Sequence, residues 1–247
     1  MKFTPDKEVL YEIIGILSKA DLPIIFKGAN VTNILLQQSN SPYTRMTTDI
    51  DSSWHGKNPT TDNIEELLRQ ALQPYGYDVS KVRNMEGSKV SAGFRVLKDG
   101  IPITKMDIDI HKVNHSEKYS FGTVEFTGVS VEEILSDKIC AISNEHIFRR
   151  TKDLLDIYSL TQALNVSPLQ VYETIKKSDN ELGDFAEFVI NKDLLGEAYS
   201  HLKVTNKPDF EEVYENVSKY IKELNKVITE ETNKDIQKED KDKMDDE

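Results

Sequence analysis

The sequence predicts an α+β protein in which a mixed, mainly antiparallel sheet flanked by helices fills residues 1–128, a helical domain follows over 129–229, and a charged tail closes the chain over 230–247. Three observations carry this. Strand-type alternation dominates from Val79 to Lys112. After Ser130-Val131-Glu132-Glu133 the apolar residues recur only at helical spacing. The last segment holds nine acidic and four basic residues and no aromatic, too little apolar content to bury, so it is expected to fray or stay disordered.

At 247 residues the chain is long enough to bury a full core. No apolar run approaches the ~18 residues of a membrane span and no charged-then-apolar leader opens the chain, so it reads as soluble and cytoplasmic. Its single cysteine, Cys140, rules out an intrachain disulfide framework and a cysteine-rich zinc site; lying among Ile139, Ala141 and Ile142, it reads as a core thiol. The net charge of −12 argues against a broad phosphate-binding surface, leaves room for a local basic groove, and suits a basic protein partner.

In chain order, Thr4-Pro5 is expected to open a first helix with Leu10, Ile13, Ile14 and Leu17 inward. Pro23-Ile24-Ile25-Phe26 reads as a buried strand ending at Lys27-Gly28, with a helix from Asn30 to Leu36 behind it; strand, glycine turn and helix start together expose backbone N–H groups suited to an anion. The loop from Gln37 to Met46 delivers the chain to Thr47-Thr48-Asp49-Ile50-Asp51. On a strand Asp49 and Asp51 share a face about 7 Å apart while Ile50 turns to the core. That pair is either a solvated strand end or a site for a hard divalent cation, which takes oxygen ligands and shares them with substrate phosphates. Arg45 either braces these carboxylates or reaches a phosphate.

A helix follows from about Thr61 with Ile64, Leu67, Leu68 and Leu72 buried. Val90–Leu97 and Ile101–Lys112 form a hairpin through Asp99-Gly100, the strongest short-range hairpin signal. On its second strand Met106, Ile108 and Ile110 share one face and Lys105, Asp107, Asp109 and His111 the other. Ser130 and Glu133 form a capping box for a helix that carries Lys138, and Asp153 and Asp156 lie one turn apart on the next helix. Helices are expected over 168–177, 182–190, 194–202 and 209–229, and no internal repeat is visible.

Taken together, Lys27-Gly28-Ala29, Arg45-x-Thr47-x-Asp49-Ile50-Asp51, Lys105-Met106-Asp107-Ile108, Glu132-Glu133-Ile134-Leu135-x-x-Lys138 and Lys152-Asp153-x-x-Asp156 resemble the AbiEii/AbiGii nucleotidyltransferase toxins of abortive-infection and type IV toxin–antitoxin systems, within the DNA polymerase β-like superfamily. The resemblance spans about residues 20–160. One departure is Gly28-Ala29, where superfamily members usually carry Gly-Ser or Gly-Gly. The resemblance implies the nucleotidyltransferase fold and magnesium-dependent transfer of a nucleoside monophosphate from an NTP. Two ions would be held by Asp49, Asp51 and Asp107, with Asp109 as the reserve third carboxylate. Lys27, Gly28, Ala29, Asn30, Arg45 and Thr48 would meet the nucleotide, and Lys138 would neutralise triphosphate charge. Asp153 and Asp156 either orient Lys138 or the acceptor, or form a helix polar face. An RNA acceptor, tRNA above all, and a basic antitoxin are the implied partners. The alternatives are a small-molecule nucleotidyltransferase of the antibiotic-resistance kind and a non-catalytic NTP-binding module.

Overall fold

The computed structural model describes residues 6–43, 46–57, 59–86, 90–144 and 146–245. It divides into two compact units, Met1–Ile134 with Lys203–Asn206 and Leu135–Leu202 with Lys207–Glu247. The division falls six residues beyond the expected 128/129 boundary, inside a helix whose first turn belongs to the sheet-bearing unit.

The first unit runs α1 (Lys7–Lys19), β1 (Ile24–Lys27), α2 (Gly28–Gln38), β2 (Asp49–Trp54), α3 (Thr61–Leu72), β3 (Tyr77–Arg83), β4 (Ser91–Lys98), β5 (Ile101–Asp109), β6 (Ser116–Phe121) and β7 (Val124–Val129). The cap of α1 is Asp6, whose side chain accepts from Glu8 N–H; Thr4 and Pro5 lie outside the described residues. The strands form a seven-stranded sheet in the order β3-β4-β5-β2-β1-β7-β6. β2 runs parallel to β5 and β1 to β7, and the other pairs are antiparallel. The expected hairpin joins β4 and β5, and Asp99 and Gly100 both take positive φ, +52° and +74°, as a two-residue primed turn requires.

Pleating separates two faces. Ile50, Phe94, Val96, Met106 and Ile108 are all at most 1% exposed. Phe26 and Phe126 extend that apolar surface, meeting edge to face at 5.7 Å, and Tyr11 of α1 lies over Phe126 at 6.1 Å. Ile64, Leu68 and Leu72 of α3 are fully buried, as their helical spacing dictates. The opposite face of β1, β2, β4 and β5 carries the ionisable residues.

α4 (Val131–Ser143) begins at Ser130, which accepts from Glu133 N–H at 3.4 Å, so one half of the capping box forms. The other half does not: buried Glu133 instead accepts from the N–H groups of Asn114 and His115 at 2.7 and 3.0 Å, tying down the loop before β6.

The second unit continues with α5 (Thr151–Ala163), α6 (Pro168–Lys177), α7 (Ala186–Ile190), α8 (Lys192–Ser200) and α9 (Phe210–Asp245). Among the described residues the one bridge residue after α4, Thr205, belongs to the first unit. α9 runs on to Asp245, through the segment expected to fray or stay disordered. The segment lacks Gly and Pro and is rich in Glu, Lys and Asp, so it propagates a helix already nucleated by the packed turns of Val213, Val217, Ile221 and Leu224. An i,i+3 ion pair between Lys234 and Glu231 at 2.8 Å adds to it.

Candidate active site

Strand register alone assembles the ionisable face. Directly paired residues project to the same side of a sheet, so the rows can be read across the strands. Asp51 pairs with Lys27 on one side and Asp107 on the other; Asp107 in turn faces Gly93, and Gly93 faces Arg83. The row on one side holds Ser53, Asp109 and Ser91, and the row on the other holds Asp49, Lys105 and Arg95. The other three candidate carboxylates therefore lie in the row of Asp51 or in the rows next to it.

The two candidates on β5 are in different electrostatic states. Asp109 is 13% exposed at its side chain; it is ion-paired with Lys27, accepts from Ser53 Oγ at 2.6 Å and takes His111 N–H at 3.2 Å. It is fully occupied as a structural counter-ion, and it occupies Lys27 as well. Asp107 is 40% exposed and meets one cation, Arg83, at 2.6 Å. The structure thus leaves Asp107 as the more available third carboxylate.

Arg83 is the residue that sequence reasoning missed. A bulge between Lys81 and Arg83 moves Arg83 opposite Gly93 and so onto the carboxylate face, while Lys81 pairs with Phe94 on the core side. Gly93 lets it pass: a Cβ there would lie 3.2 Å from Asp107 Oδ1 and 3.4 Å from Arg83 Cβ. Ser91 steadies the guanidinium, its carbonyl accepting from Nε at 3.3 Å and its hydroxyl from Nη2 at 3.1 Å.

Gly28 opens α2 with φ +66°, and a Cβ there would overlap Asp51 Oδ2 and stand 3.1 Å from Asp51 Cβ. Only glycine tolerates both demands. The cap residue, Lys27, makes no side-chain cap hydrogen bond. Ala29 and Asn30 continue the first turn. The Asn30 side chain is buried and its Nδ2 donates to Asp49 C=O at 2.9 Å, while the Asn30 backbone carbonyl accepts from the Tyr11 hydroxyl at 2.7 Å. Asn30 therefore sets the position of Asp49, a role distinct from the expected backbone contact. Thr48 is exposed, its hydroxyl 3.3 Å from Asp49 Oδ1 and its carbonyl held by Thr104 at 2.7 Å. Arg45 lies outside the described residues.

In the second unit Lys138 is 8% exposed, bonded to Asp156 at 2.7 Å and to Asp153 at 3.1 Å. Arg150 stands 3.7 Å from Asp153. Of the readings left open for Asp153 and Asp156, a helix polar face does not describe them; the two aspartates clamp the Lys138 ammonium between α4 and α5. Cys140 is buried, and burial, with Asp137 adding to it, pushes its thiol up to about 12, so it is no nucleophile.

Among the described residues no three His, Cys, Asp or Glu side chains converge as a ready metal cage. The donor chemistry nevertheless suits a hard cation, since the facing groups are carboxylates and Asp107 already accommodates positive charge in the Arg83 guanidinium.

Paired carboxylates on one strand, a third on its parallel neighbour and a glycine-led helix start beside them share one face of the sheet. The chain belongs to the AbiEii family, described as the nucleotidyl transferase AbiEii toxin of a type IV toxin–antitoxin system, which matches residues 15–216. It is thus a member of a family of toxin enzymes that use nucleoside triphosphates. Among solved structures it is similar in fold to MenT4, a nucleotidyltransferase toxin of Mycobacterium tuberculosis, at 14% identity and a TM-score of 0.59 over 89% of this chain and 82% of that one. An antigenic nucleotidyltransferase-like protein of Paracoccidioides brasiliensis matches at 16% identity and a TM-score of 0.46, covering 78% of this chain and 91% of its own. No curated protein sequence matches the chain. Among the described residues no helix is long and apolar enough to cross a membrane.

Proposed function

We infer that this protein transfers a nucleoside monophosphate from an NTP to a hydroxyl group of RNA, with tRNA the favoured acceptor and pyrophosphate leaving, and that the transfer depends on magnesium. One observation carries the reading: Asp51 stands directly across from Asp107, with Asp49 on the same face and the uncapped start of α2 at Gly28 against Asp51.

Each residue has a physical task. The backbone N–H groups at Gly28, Ala29 and Asn30 sit at the positive end of a helix and suit phosphate oxygens. Asp49 and Asp51, with Asp107, would hold the magnesium ions, which when bound would supply positive charge for the triphosphate. Asp107, the most exposed of the β5 carboxylates, takes the proton of the acceptor hydroxyl. Asn30 holds Asp49 in register. Lys138 lies in the second unit with its ammonium held by Asp153 and Asp156. A basic antitoxin suits the net charge of −12.

The test is incubation with each of four labelled NTPs, magnesium and total RNA, followed by identification of the labelled species. Label on RNA with release of pyrophosphate is expected; label only on a small hydroxylated compound, or nucleotide bound without pyrophosphate release, contradicts the reading.

A further inference from the structure

Arg95 and Lys105 are cross-strand partners on β4 and β5, on the same face as the carboxylates and in the same row as Asp49. Both are exposed, and among the described residues neither makes an ion pair, although Asp49 is the register neighbour of Lys105. Like charges directly opposite on a sheet cost stability. A chain of net charge −12 has acidic residues to spare for such a pair, yet none is used here.

Position decides what the pair serves. The start of α2 meets Asp51 from the β1 side, whereas Lys105 and Arg95 lie beyond β2 on the β5 and β4 side. In an in-line displacement the nucleophile and the leaving group stand on opposite sides of the phosphorus. If pyrophosphate leaves toward α2, the strand that brings the hydroxyl enters over β5 and β4. We propose that Arg95 and Lys105 form the contact strip for the phosphate backbone of the RNA acceptor. The proposal rests on the nucleotidyltransferase reading of the same face. It assigns the strip to RNA and leaves the NTP triphosphate to α2.

The test compares wild type with Arg95→Gln/Lys105→Gln. Affinity for fluorescently labelled total tRNA is measured by anisotropy across a salt series, nucleotide affinity by the NTP-plus-magnesium shift in melting temperature, and transfer with the label assay. The double variant is expected to bind RNA about tenfold or more weakly, uniformly across RNA sequences. Its dependence of log affinity on log salt should be shallower by about 1.4, the share of two phosphate contacts on a single strand. Its melting temperature should stay equal or rise, and its nucleotide-induced shift should be unchanged. Equal RNA affinity and an equal salt slope in the two proteins overturn the strip while leaving transfer to RNA intact. Loss of the nucleotide-induced shift in the variant also overturns it, by giving the pair to the triphosphate. A wild-type protein that transfers label to a small compound and binds no RNA overturns both the strip and the acceptor on which it rests.

Discussion

Replacing Lys138 with Met tests whether the α4–α5 clamp holds the second unit together. The ammonium is bound at 2.7 and 3.1 Å by two carboxylates, and the side chains of Lys138, Asp153 and Asp156 are 9%, 21% and 3% exposed. Methionine matches the stem in volume, so the change removes charge rather than packing. It withdraws the ammonium that Asp153 and Asp156 share, Asp156 being 3% exposed at its side chain. Breaking a buried pair by removing one partner costs about 3–5 kcal/mol, mainly because an uncompensated charge stays behind. For a chain of this size that corresponds to a fall of roughly 6–20 °C in melting temperature. Adding Asp156→Leu and Asp153→Asn to Lys138→Met should restore much of the loss, since an apolar replacement of a buried ion pair is often neutral. Thermal unfolding by circular dichroism reads both variants. A Lys138→Met protein that melts like wild type, or a triple variant no better than the single one, refutes the reasoning.

Other expectations follow from the same geometry. Asp109→Asn removes the partner of Lys27 and the acceptor of Ser53, so it should lower stability by about 1.5–3 kcal/mol, the worth of hydrogen bonds to a charged group, in urea unfolding; an unperturbed midpoint contradicts its structural role. Gly28→Ala should cost about 1–3 kcal/mol for the left-handed backbone and cut transfer sharply by displacing Asp51, and a stable, active variant would show that Asp51 need not sit where it does. Cys140, with its thiol pushed up to about 12, should react with a thiol reagent at pH 8 only when denaturant opens the fold; rapid labelling of the native protein would refute its burial. Deleting 230–247 should change stability by less than about 1 kcal/mol, because the buried side chains of α9 end at Leu224 among its described residues.

What the sequence made legible was set by local chemistry. Asp99-Gly100 announces its hairpin because few other residues accept two successive positive φ values, and the alternation of β2 and β5 puts Asp49, Asp51 and Asp107 on one face before any pairing is known. The hairpin β6–β7 was not foreseen: on β6 only Tyr119 is buried, so the edge strand shows no alternation, and Gly122, at φ +58° in the short turn after it, was its one signal. Arg83 was hidden for a different reason. Its arrival at Asp107 depends on two bulges, one at Lys81/Arg83 and one at Val96/Leu97; carried straight from the turn, the β4–β5 register would set Gly93 opposite Met106. Nor did spacing distinguish Asp107 from Asp109, since the difference lies in Lys27 and Ser53, which come from other strands.

The central claim, that the carboxylate face of β2 and β5 carries out metal-dependent nucleotidyl transfer, is tested most directly by Asp49→Asn measured for transfer and stability in the same preparation. Asp49 shares a face with Asp51, two residues along β2, and its replacement by Asn would remove a proposed magnesium ligand without opening a cavity. The account predicts a melting temperature equal to or above that of wild type, loss of the stabilisation that magnesium with NTP gives the wild type, and transfer lower by orders of magnitude. A folded Asp49→Asn protein that transfers nucleotide at the wild-type rate would contradict it.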